Sequence, residues 1–81
     1  METQMITITV TVRRQGSPVS GRKVTLHAEG FDGGVSSPHY TDAAGVAKFE
    51  MGDRQGGYVF VDGVRKGRWG AQTARNVTVL L

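Results

Sequence analysis

The chain has no cysteine, so no disulfide staples it and no thiolate metal site exists, which suits a reducing compartment. It has only two prolines against twelve glycines, a balance that points to many turns and little helix. No apolar run approaches the ~20 residues of a membrane span, so membrane insertion is not expected. The opening METQMITITV lacks the basic start and leucine-rich core of a secretory leader, so no export signal is expected there and the cytoplasm is the default compartment. Low-complexity tracts and internal repeats are absent, and no stretch keeps a helical period beyond two turns. Charge is not concentrated either. Ten Lys+Arg against seven Asp+Glu leave a net +3, a mild bias well short of a polybasic tail.

What remains is alternation. Eighty-one residues make one small domain, 1–81, that buries roughly 60–65% of the surface its unfolded chain exposes. In Gln4 to Val12, Ile6, Ile8, Val10 and Val12 share one face, and Met5, Thr7, Thr9 and Thr11 the other, the period of a half-buried strand. Arg13 to Arg22 reads as a loop punctuated by Gly16, Pro18 and Gly21, with Val19 as its inward anchor. Lys23 to Glu29 alternates again, with Val24, Leu26 and Ala28 inward. Gly30 to Ser37 reads as a flexible glycine-rich loop with Phe31 as its apolar peg. Pro38 makes His39–Thr41 an edge strand or one that starts after the proline.

Tyr40 to Met51 organises the rest. Thr41 and Asp42 close a turn through their side-chain oxygens, and Gly45 takes the positive φ the turn needs. Ala47, Phe49 and Met51 then alternate with Lys48 and Glu50, so Asp42–Gly45 reads as a hairpin into Val46–Met51. Tyr58 to Val61 is apolar on both faces, a central strand covered on both sides or part of an interface. Asp62-Gly63 is a two-residue hairpin signal, Val64 to Trp69 a polar strand or loop, and Ala74 to Leu81 a last strand. The expected core is Ile6, Ile8, Val10, Val24, Leu26, Phe49, Tyr58, Phe60, Val77 and Val79.

The order of these pieces resembles the prealbumin-like β-sandwich superfamily, including carboxypeptidase regulatory-like and CnaB-type domains. The resemblance rests on ITITVTV followed by QGSPVSGRKVTL, on Thr41-Asp42 with Gly45, Ala47 and Phe49, on Gly57, Tyr58 and Phe60, and on a last strand ending V-x-V-x-L. It covers nearly the whole chain. It implies an all-β, antiparallel Greek-key (Ig-like) sandwich of about seven strands, and a non-catalytic role as a structural or binding module, with a protein partner or self-association. CnaB-type domains carry a lysine on the first strand for an internal crosslink to an asparagine. Met5–Val12 has none, so the crosslink is not expected even with Asn76 on the last strand.

The segment Arg65-Lys66-Gly67-Arg68-Trp69 is the most suggestive for binding. Three cations beside one indole suit phosphates with a stacked base, or a sugar ring laid on Trp69. Arg13, Arg14, Arg54 and Arg75 extend the patch if they lie at the same end. The plain alternative is an edge strand protected by charge, with Trp69 in the core. His39 with Asp42 and Asp32 outlines a cation site, but four converging ligands are needed, and Asp42 is better spent capping its turn. No serine sits in a nucleophile elbow and no glycine run matches a phosphate cradle. An enzyme of the transthyretin-related hydrolase kind would need a motif around His27 or His39 that is absent. The expectation is therefore no catalytic residue, no metal site and no cofactor.

Overall fold

The computed structural model describes residues 4–30 and 33–81. The expected roles of Phe31 and Asp32 lie outside the described residues. Among the described residues the chain forms eight strands: β1 (Met5–Arg14), β2 (Ser17–Pro18), β3 (Lys23–Ala28), β4 (His39–Tyr40), β5 (Val46–Gly52), β6 (Gly56–Val61), β7 (Val64–Gly70) and β8 (Asn76–Leu80). They make two four-stranded sheets. In the first, β1 is central, with β5 and the short β2 along one side and β8 along the other. The second runs β4-β3-β6-β7. Every pair is antiparallel except β1 with β8, which is parallel and lays the last strand beside the first.

The sheets face each other across one apolar core, a β-sandwich. The first supplies Ile8, Val10, Val12, Ala47, Phe49 and Val79, and the second Val24, Leu26, Val59, Val61 and Trp69. Ile6 and Val77 pack against this cluster half-buried. Tyr58 and Phe60 do not join it. β6 is apolar on both faces, so alternation alone does not phase it; its register opposite β3, Val24 to Val61 and Leu26 to Val59, sends the valines inward and the rings outward.

Three loops also depart from expectation. β1 continues to Arg14 and folds back on β2 through Gln15-Gly16, whose φ of 49° and 81° make a two-residue turn of the same hand as Asp62-Gly63, with φ of 51° and 82°. Residues 33–37 are not a free loop. Gly34 O accepts Ala28 N–H, Ser36 N–H donates to Leu26 O and Ser36 Oγ accepts Leu26 N–H, so the segment runs along the edge of β3 above β4.

The Asp42–Gly45 turn closes as read, but it is not a hairpin within one sheet. It carries the chain from β4 in the second sheet to β5 in the first. Asp42 Oδ1 accepts Ala44 N–H at 2.9 Å and Val46 N–H at 3.0 Å. Gly45 has φ 77°, and a Cβ there would stand 2.6 Å from Val12 O. Thr41 anchors the entry: its Oγ1 donates to Val19 O at 2.7 Å and accepts Arg22 N–H at 3.0 Å.

Candidate functional site

β7 is an edge strand, and its pairing with β6 slips once. Val59 faces Gly67 and Phe60 faces Arg65, which leaves Lys66 as an extra residue, a β-bulge. The slip decides where the charges go. Strict alternation from Trp69 would put Lys66 and Arg68 on one face and Arg65 on the other. With the bulge, Arg68 lies opposite Tyr58 and Arg65 opposite Phe60, both on the outer face, and Lys66 joins them. Three cations thus gather on one side of one short strand, around an open groove of about 300 Å³ lined by Tyr58, Arg65, Lys66, Gly67 and Arg68.

The surface beneath them is aromatic. His27 of β3 and Phe60 of β6 stack with centroids 3.8 Å apart. The guanidinium carbons of Arg65 and Arg68 lie 4.8 Å and 5.0 Å from the Tyr58 ring centroid. Such cation–π contacts are worth roughly 0.5–1 kcal/mol each at an exposed site. More to the point, they hold two flexible side chains over one ring. Arg68 also meets Glu29 Oε1 at 3.2 Å, an exposed pair. Among the described residues neither Arg65 nor Lys66 has a carboxylate within ion-pairing distance.

Trp69 is placed elsewhere. It points inward, 3% exposed, opposite Gly57, and its indole N–H donates to His27 O at 3.3 Å. Its ring faces are spent on the core, so it offers no platform for a sugar or a base. The aromatic partners of the cations are Tyr58, Phe60 and His27. The sequence signal that could have found them is the run Tyr58–Val61 itself, whose second apolar face needed a cover.

Of the other arginines, Arg54 and Arg68 both line an open cleft of about 690 Å³ at one end of the sandwich, over Gly56, Gly57 and Gly70. Arg75 is at that end too, its Nε–H donating to Ala71 O at 2.6 Å. Arg13 and Arg14 sit on the first sheet at the far end of β1, so they do not extend the patch.

The histidines do not converge. His27 lies on the outer face of the second sheet. His39 stacks on Phe49 at 4.4 Å, and its Nδ1 lies 2.7 Å from Lys48 O. A carbonyl only accepts, so Nδ1 carries the proton. Asp42 spends its carboxylate on the turn. Among the described residues no three His, Asp or Glu side chains are grouped to hold a metal ion, and no helix is long and apolar enough to cross a membrane, which says nothing of strands. No protein-family model, curated protein or solved structure matches the chain.

Proposed function

We propose that the chain is a non-catalytic binding module whose contact surface is the outer face of the second sheet. The single observation that carries this is the Lys66 bulge, which turns Arg65, Lys66 and Arg68 to one side, next to the Tyr58 ring. Bulges re-aim side chains at the cost of ladder pairing, and they recur beside functional surfaces. Among the described residues two of these cations lack an acidic partner, so the patch is adapted to an anionic one. The separated histidines and the committed Asp42 support a role without catalysis.

The same reading takes the sandwich as Greek-key and prealbumin-like. Its support is the parallel pairing of first and last strands, together with the structural work of each signature residue: Thr41 and Asp42 in the turn, Gly45 against Val12, Gly57 beneath Trp69. A second reading, self-association, is favoured by Leu80. It is 73% exposed on β8, an edge strand of the first sheet.

Retention on heparin-agarose tests the first reading. The wild type is expected to elute at higher salt than Arg65→Ala/Lys66→Ala, with both equally folded by circular dichroism. Equal elution would remove the face as a binding surface. Light scattering tests the second: a dimer that Leu80→Lys dissolves supports it, and a monomer at all concentrations ends it.

A further inference from the structure

Resting on that binding face, the ligand class can be narrowed. We propose that the face takes single-stranded nucleic acid, laid across Tyr58, Arg65, Lys66 and Arg68 and running on past Arg68 toward Arg54.

Among the described residues, two open hollows beside β7 share one residue. The groove over Tyr58 and the larger cleft over Gly56, Gly57 and Gly70 both include Arg68 in their walls. Taken together they make one trough, with Arg65 and Lys66 in the groove, Arg54 in the cleft and Arg68 in both. An open trough with cations spaced along it fits a linear polyanion better than a compact ligand.

The chemistry of the walls selects among polyanions. Guanidinium groups held over Tyr58 present N–H forks, which match phosphate oxygens two at a time. Those planes, with the half-buried rings of His27 and Phe60 beside them, also suit flat unsaturated partners. A single strand exposes phosphates and base faces together. A duplex keeps its base faces inside its own stack, and a sulfated glycan has anionic groups but no flat rings. Glu29 is the built-in competitor, because its pair with Arg68 opens when a phosphate takes its place.

Fluorescence anisotropy of a labelled oligo-dT strand, repeated across roughly 50 to 200 mM salt, tests this. Three neutralised phosphates predict that log Kobs falls with log salt at a slope of about −2. Arg65→Ala/Lys66→Ala is expected to bring the slope to about −0.7. Tyr58→Leu is expected to weaken binding about tenfold by releasing the two guanidinium groups that lie over its ring. Glu29→Gln is expected to tighten it. Each variant is checked for wild-type circular dichroism and urea midpoint, and Lys66→Ala alone serves if the double variant is unstable.

If the same sequence as a duplex binds as tightly as the single strand, the nucleic-acid class is overturned. If heparin binds through Arg65 and Lys66 while oligo-dT does not bind, the class is again wrong but the binding face stands. If neither probe responds to the double variant, both readings fall.

Discussion

At the scale of single residues, two positions hold more than their size suggests. Thr41 is one of the few polar side chains in the interior, 5% exposed, and its hydroxyl joins Val19 O to Arg22 N–H. Valine keeps its shape and removes both bonds. Each such group left unsatisfied costs about 1–3 kcal/mol. Thr41→Val should therefore lower the urea midpoint without changing the slope of the transition. Gly57 is the other. A Cβ there would stand 1.8 Å from His27 O, a backbone atom that also accepts the Trp69 indole N–H. No rotamer relieves that contact, so Gly57→Ala should cost more than the ~1–3 kcal/mol usual for overpacking. At roughly 4–8 °C per kcal/mol for a domain of this size, its melting temperature should fall by more than about 10 °C. Trp69→Ala should cost about 3–5 kcal/mol, so a loss of binding in that variant would report unfolding.

At the scale of elements, β7 shows what a bulge does. Deleting Lys66 leaves Arg65 opposite Phe60 and Arg68 opposite Tyr58 in plain alternation. That variant should stay within about 1 kcal/mol of wild type by urea titration, since Lys66 is an exposed residue outside the ladder. It should lose one cation's share of the salt dependence of binding, about 0.7 of a unit of slope for a single strand. Alternation made β1, β3, β5 and β8 legible from sequence, because each has one apolar face and a register slip would turn that face to water. Three things were not legible. β6 has two apolar faces, so alternation alone leaves Tyr58 and Phe60 free to point inward, and only pairing with β3 sets the phase. The bulge depends on that pairing, so the sequence could show three cations and an indole together but not that they part to opposite faces. The Asp42–Gly45 turn reads as a hairpin because its local chemistry is that of one. Its strands enter different sheets because Thr41 is tied to Arg22 and Val19 on one side and Gly45 O takes Val12 N–H on the other.

At the scale of the whole molecule, the two outer faces differ. The first sheet shows water Thr7, Thr9, Thr11 and Thr78, with Lys48 and Glu50 beside them. The second shows rings and guanidinium groups. The ends of such a sandwich must be fastened by other means than a disulfide, since none is possible. One fastening joins the crossing from β2 to β3 to the β6–β7 hairpin: Arg22 Nη1 donates to Asp62 Oδ2 at 2.8 Å, and Lys23 N–H reaches Asp62 Oδ1 at 3.3 Å. The Arg22 hydrogen bond is the chief reason the Asp62 carboxyl sits below its ordinary range; the Lys23 backbone bond and the two positive charges add to it, against some desolvation. A carboxyl depressed in the folded state stabilises that state fully above the ordinary aspartate value, and the contribution is lost as pH falls through that value and then through the depressed one. Asp62→Asn should thus lower the urea midpoint at neutral pH, and its gap from wild type should close as the solution is acidified through the carboxylate range. The gap should also narrow in high salt, because the pair is exposed. No gap at any pH would mean that Asp62 acts only through the positive φ of its turn, which asparagine tolerates equally well.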